Sequence, residues 1–246
     1  MKLKYVYPLA LLITFAITIA KGDFLFRGEI KEIYYVPTPE ITYISPYVKL
    51  SPYDQHFRDA ADSLNWDWKL IAAIAFTESR FDSTATSSVG ACGVMQVMPA
   101  TLRGFGVPDS MHLDTRSNIM AAKELLKSLD RLYHRITNFE ERSNFILASY
   151  NAGAGHIGDA MNLAQKYGRA RYVWNENVDT FLILKRFPEY YTDSVCKNGS
   201  FNDWKQTISF VKKVKRTWRR YDILQDRYND SIQLLLAKDT TLRIKN

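Results

Sequence analysis

The chain has 246 residues, 46% of them hydrophobic and 24% charged, which excludes a disordered chain and leaves room for one domain with additions. Its two cysteines and four histidines are scattered without metal-ligand spacing, so no metal and no cofactor is expected. A net charge of +7 favours polyanions, but no zinc-finger spacing or RNA-binding strand motif accompanies it, so nucleic acid is not expected as a partner.

Two lysines in "MKLKYVY" precede the apolar run "PLALLITFAITIA", residues 8–20. A basic start followed by an apolar run of this length reads as an export signal and is short for a membrane span. Two outcomes stay open for residues 1–20: cleavage after Ala20, or retention as a signal anchor. Either one places the remainder in the periplasm or cell envelope. Residues 21–50 carry Pro37, Pro39 and Pro46, which rules out a long helix and predicts an extended tether.

From Ser51 the spacing is helical almost throughout. Phe57, Ala60, Ala61 and Leu64 recur at helical intervals, and Trp68, Ile71, Ile74, Ala75 and Glu78 share one face of the next segment. "VMQVMPATLRGFG", residues 94–106, is expected as a short helix with Pro99 inside it. Ile119, Ala122, Leu125, Leu129, Leu132 and Ile136 form a later stripe, with Ser117 as its N-cap. Helical segments at 139–153, 155–168, 178–187 and 202–228 complete one all-α domain over residues 51–230, followed by a tail at 231–246. The basic stretch "FVKKVKRTWRRYD", residues 210–222, reads as a solvated helix face. Cys92 and Cys196 leave a disulfide open.

Glu78 lies four residues after Ile74 and seven after Ile71, on the face that should be buried. A carboxyl group there costs several kcal/mol to keep charged, so its pKa rises and it can serve as a general acid. The competing reading turns Glu78 outward at the helix end, or pairs it with Arg80 or Lys69.

The residues that follow weigh against that alternative. Ser79, Phe81, Asp82, Ser87, Gly90, Ala91, Gly93, Met95, Gln96, Met98, Pro99 and Thr101 come first, and Ser149-Tyr150-Asn151-Ala152-Gly153 come later. Together they resemble the two signatures of the lytic transglycosylase family, SLT type, in that family's order. The surrounding wording is similar to its membrane-bound F-type branch over roughly residues 52–215. The resemblance implies a lysozyme-like (goose-type) helical domain with a central cleft. It further implies a monomer acting on peptidoglycan glycan strands, which cleaves the bond between N-acetylmuramic acid and N-acetylglucosamine without water and leaves a 1,6-anhydro ring. Glu78 would be acid and then base. Ser87 and Gln96 match positions that hydrogen-bond sugar substituents, and Met98 matches an apolar contact beside Glu78. Tyr150 and Asn151 match groups that reach the muramic unit and the catalytic carboxyl. His156 is expected to be structural.

Ordinary glycosidases need two carboxyl groups, whereas only Glu78 is well placed here. Asp82 falls past the helix end, where Asp commonly caps a turn. The chain also departs from the family. Where many relatives carry E-T-x-x-Y-V, it has Gln206, Thr207, Phe210 and Val211, so either the alignment slips here or one cleft hydroxyl is lost. The first 50 residues cannot hold the N-terminal module of the larger relatives, which predicts a stand-alone catalytic domain. Two other functions remain open: a hydrolytic lysozyme of the same fold, and a catalytically weakened peptidoglycan-binding scaffold.

Overall fold

The segment Leu70–Ala75 is apolar on every side, and a helix without a polar face has to sit inside a protein. A computed structural model, which describes residues 45–244, places it there. Helix α2 (Trp68–Ser79) buries Leu70, Ile71, Ala72, Ala73, Ile74 and Ala75. Packing against α2 are α1 (Asp54–Asp62), which contributes Phe57, Ala60 and Ala61 to the core, and the long C-terminal helix α9 (Trp204–Ile244). Burying each large aliphatic side chain of this kind contributes about 1.5–3 kcal/mol. Polar contacts fix the pairing of α2 with α9: Trp218 Nε1 donates to Asp67 at 2.7 Å, and Lys69 pairs with Asp222 at 2.8 Å.

A second layer surrounds this pair. Helix α3 (Pro99–Gly104) leads to α4 (Thr115–Leu132), which packs on α1 and on α5 (Phe139–Ala152). Helix α5 also touches α9 and α6 (Ala154–Lys166). Gly153, at φ +86, turns the chain between α5 and α6, a conformation that strains a side chain. An irregular turn at Trp174–Val178 leads to α7 (Asp179–Leu184), and α8 (Pro188–Tyr191) is a single turn. Among the described residues there is no strand, only isolated bridges of Cys92 with Thr86 and Val97. The all-α expectation therefore holds.

Several details differ from the sequence reading. The helix expected over 94–106 forms only from Pro99, whose fixed φ suits the first helical position rather than the interior. Residues 94–97 belong instead to a tight loop. The N-cap of α4 is Asp114, whose carboxylate accepts from Ser117 N at 2.9 Å, so Ser117 lies inside the helix. Helix α9 runs through residue 230 without a break, so the stretch expected as a tail begins within it. Both cysteines are free, Cys92 buried and Cys196 half-buried.

The expected export segment lies outside the described residues, as does the tether up to Ile44. Residues 45–50 lie against the domain: Val48 N donates to Gln225, and Tyr228 OH donates to the Ser45 carbonyl. The tightest charge burial is elsewhere. Lys185, fully inaccessible, bonds Asp159 at 2.6 Å and His156 Nδ1 at 3.1 Å. Asp159 also accepts from the backbone N–H groups of Lys197 and Asn198. This cluster ties α6 and α7 to the loop that leads into α9, and His156 has the structural place expected of it.

Candidate active site

Glu78 stands in the last turn of α2, directly above the buried Ile71–Ala75 run. It makes no hydrogen bond and no ion pair among the described residues. The cations that might have neutralised it are committed elsewhere. Lys69 pairs with Asp67 and Asp222, and the Arg80 guanidinium lies 5.3 Å from the Phe76 ring centroid. Glu78 is half-buried, and burial pushes its pKa from 4.5 up to about 8. Loss of hydration with no compensating charge favours the neutral acid. The competing reading of an ion-paired Glu78 is thereby excluded.

The backbone beyond Glu78 is unusual. Arg80 and Phe81 both adopt positive φ, at 55° and 68°. The left-handed region costs a non-glycine residue about 1–2 kcal/mol. Packing of the Phe81 ring against Phe57 and Phe76, at centroid distances of 5.9 and 5.6 Å, offsets that cost. The reversal sends the chain back past the end of α2 and starts the loop 82–98. Asp82 caps the first turn of this loop by accepting from Thr84 N and Oγ1. Those bonds hold its pKa below the usual range, so it supplies no second acid.

The loop is pinned by one side chain that the sequence motifs did not single out. Asn118, fully buried on α4, accepts from Met95 N at 2.9 Å and donates to the carbonyls of Cys92 and His112 at 3.0 and 3.2 Å. A Cβ at position 93 would stand 2.5 Å from Asn118 Nδ2, and Gly93 has φ +76, so only glycine fits there. The loop carbonyls then serve the site. Met95 O accepts from Tyr150 OH at 2.8 Å, and Val94 O accepts from Ser79 Oγ at 2.8 Å. The signal for Asn118 was its place in the first turns of a helix that follows the motif. Nothing in its spacing could show that it reaches back to the loop.

The structure brings Tyr150 to Glu78. Burial raises the Tyr150 pKa well above 10, and the Glu78 carboxylate raises it further. Phe210 of α9 stacks on the Tyr150 ring, centroids 6.4 Å apart and planes 7° apart. Phe210 thus brings a ring without a hydroxyl to the Tyr150 side of the site. Asn151 Oδ1 accepts from Thr207 Oγ1 at 2.9 Å, which turns the Asn151 amide N–H groups away from Thr207. Ser87 Oγ accepts from Ala91 N, so its own proton remains to be donated. Gln96 Nε2 donates to the carbonyls of Ala85 and Gly93, which leaves its side-chain oxygen as an acceptor. Met95 is wholly core, whereas the Met98 side chain is 43% exposed at the start of α3. Among the described residues no group of His, Cys, Asp and Glu has the arrangement to hold a metal ion.

Comparison with known proteins finds relatives over the same stretch of sequence. Residues 55–173 match the Transglycosylase SLT domain. Over 181 residues the chain is 33% identical to "Membrane-bound lytic murein transglycosylase F" of Desulfosudis oleivorans, covering 74% of this chain and 38% of that protein. The protein of the same description from Pseudomonas fluorescens is 35% identical over 177 residues, covering 72% and 34%. Among solved structures, the 70 kDa soluble lytic transglycosylase of Escherichia coli gives a TM-score of 0.48 at 22% identity, over 70% of this chain and 24% of that one. An inactive mutant of lytic transglycosylase Slt from Pseudomonas aeruginosa gives 0.46 at 19%, over 71% and 24%. The chain thus spans well under half the length of these curated relatives. Glu78, the pinned loop and the Ser149–Gly153 turn all lie inside the matched stretch, and the chain thus carries an SLT-type lytic transglycosylase domain.

Proposed function

We propose that this domain cleaves peptidoglycan as a lytic transglycosylase, breaking the β-1,4 bond between N-acetylmuramic acid and N-acetylglucosamine. The observation that carries the reading is Glu78, a half-buried carboxyl with no charge partner and a pKa of about 8. At neutral pH it holds a proton to give.

In the first step the Glu78 proton passes to the glycosidic oxygen as the C1–O bond breaks. In the second, the muramic C6 hydroxyl attacks C1, and its proton returns to the Glu78 carboxylate. One carboxyl group suffices, which suits a motif whose other acid, Asp82, is bound to Thr84. Holding both reacting groups in one sugar ring replaces an external water and lowers the entropic cost of the attack. Tyr150, fixed by Met95 O and stacked on Phe210, forms a wall beside Glu78. The Ser87 hydroxyl, the Gln96 carbonyl and the Asn151 amide are donors and acceptors suited to N-acetyl and hydroxyl groups. Met98, exposed, suits an apolar sugar face.

Placement in the cell envelope is supported by the basic and apolar N-terminal sequence together with the naming of the relatives as membrane-bound. Among the described residues no helix is long and apolar enough to cross a membrane; any anchoring is assigned to residues 1–20 on their sequence alone. The domain is proposed to act as a monomer.

Digestion of purified sacculi tests the reading. The parent protein should release soluble muropeptides, and Glu78→Gln should release them about 10³-fold more slowly, in keeping with the loss of general acid–base catalysis. Equal rates would overturn the enzymatic reading in favour of a binding scaffold.

A further inference from the structure

A groove of about 420 Å³ lies apart from Glu78, between the end of α4, the first turns of α6 and the turn at residues 171–172. Ala154 and Gly158, one helical turn apart, belong to its α6 side, and Tyr133, His134, Arg135 and Arg171 also line it. Among the described residues no carboxylate lines it. Neither Arg135 nor Arg171 forms an ion pair among the described residues, in contrast to Arg142, Lys166, Lys185 and Lys215, each of which meets an acid.

Arg171 is held firmly in place all the same. Its Nη1 donates to Gln165 Oε1 at 2.6 Å, its Nη2 reaches Asn162 Oδ1 at 3.5 Å, and its guanidinium lies 5.2 Å from the Tyr172 ring centroid. The Arg171 Nε is buried with no hydrogen-bond partner. A guanidinium that meets only neutral oxygens keeps its charge uncompensated, and a planar carboxylate matches the fork of its remaining Nη protons. Groove and reaction site also adjoin along the chain. Ala154 comes three residues after Asn151, and Tyr133 OH meets Ser149, the neighbour of Tyr150, at 2.5 Å.

The geometry points to a binding site for the carboxylate-bearing peptide that branches from muramic acid, with Arg171 and Arg135 as its anchors. This rests on the proposed peptidoglycan substrate and adds to it a preference for strands that still carry their acidic peptides.

The test is a calorimetric titration of the Glu78→Gln protein, which cannot consume the probe. The probes are N-acetylmuramyl-L-alanyl-D-glutamate, the same molecule with both glutamate carboxyls amidated, uncharged chitotetraose, and inorganic phosphate. Amidation should weaken binding about ten-fold or more, and Arg171→Gln should weaken the acidic probe to a similar degree while leaving chitotetraose unchanged. A second variant guards against misfolding. A Cβ at Gly158 meets nothing within 4 Å, so Gly158→Leu should fold at least as well, since the helix gains a better helix former, and its side chain should obstruct the groove.

Equal affinity for the acidic and amidated probes, or no loss in both variants, would overturn the assignment. So would phosphate binding as tightly as the dipeptide, which would mark a simple anion site. Failure here leaves the Glu78 chemistry intact. Conversely, a parent protein that binds the acidic probe through Arg171 but leaves sacculi uncut would overturn the proposed reaction and keep this site.

Discussion

Replacing Glu78 by Gln should make the protein more stable while removing its activity, and the size of the effect should depend on pH. In the unfolded chain Glu78 loses its proton near 4.5, whereas in the folded domain it does so near 8. Between those values the folded state binds more protons than the unfolded one, so stability falls as pH rises through that window. At pH 7 the chain must take up a proton on folding against a gap of 2.5 pH units, about 3 kcal/mol at 1.36 kcal/mol per unit. Residual hydration of the half-buried carboxyl would reduce this to about half. Glutamine has nearly the same shape and no charge to desolvate, so the variant should gain about 1.5–3 kcal/mol at pH 7. For a domain of this size that is a rise in Tm of about 3–12 °C. Below pH 4.5 the gain should vanish, because both states are then protonated. Thermal unfolding of parent and variant, followed by fluorescence between pH 4 and 9, reads this directly. A Tm difference that does not change with pH, or a variant less stable than the parent at pH 7, would refute the argument that burial holds the proton on Glu78.

Asn118→Ala should cost about 2–4 kcal/mol in urea unfolding, since it leaves the Met95 N–H and two carbonyls without partners; an effect below 1 kcal/mol would mean that the loop stands without it. Lys185→Met should cost about 3–5 kcal/mol by leaving Asp159 charged, buried and unneutralised, and unchanged urea unfolding would contradict this. Phe210→Tyr should raise the rate of muropeptide release about 2–10-fold, the worth of one hydrogen bond, by returning a hydroxyl to the stack on Tyr150. A slower variant would show that the site has been rebuilt around the phenyl ring.

The residues that were legible in the sequence are those whose role is set by local pattern. The apolar run before Glu78 announced a buried helix. Asp82 capped a turn as its position past the helix end suggested. The helical reading failed at Val94–Val97 because apolar spacing cannot distinguish a helix from a loop whose side chains are drawn inward, and Pro99 was the better guide. Asn118, Arg171 and the bond that Thr207 makes escaped notice for another reason. Each acts through a partner far along the chain or across a turn, and the residue type alone reveals nothing of the contact. Positive φ at Arg80 and Phe81 could not be foreseen either, because glycine, the usual signal for it, is absent there.

The masses of the sugars released from sacculi test the central claim most directly. If Glu78 returns the C6 oxygen of muramic acid to its own C1, every new muramic end is lighter by one water than an ordinary reducing end, and no oxygen from labelled water enters it. Reducing ends that carry the label would show that water, not the substrate, attacks C1, and the account of a single carboxyl acting first as acid and then as base on the sugar itself would fail.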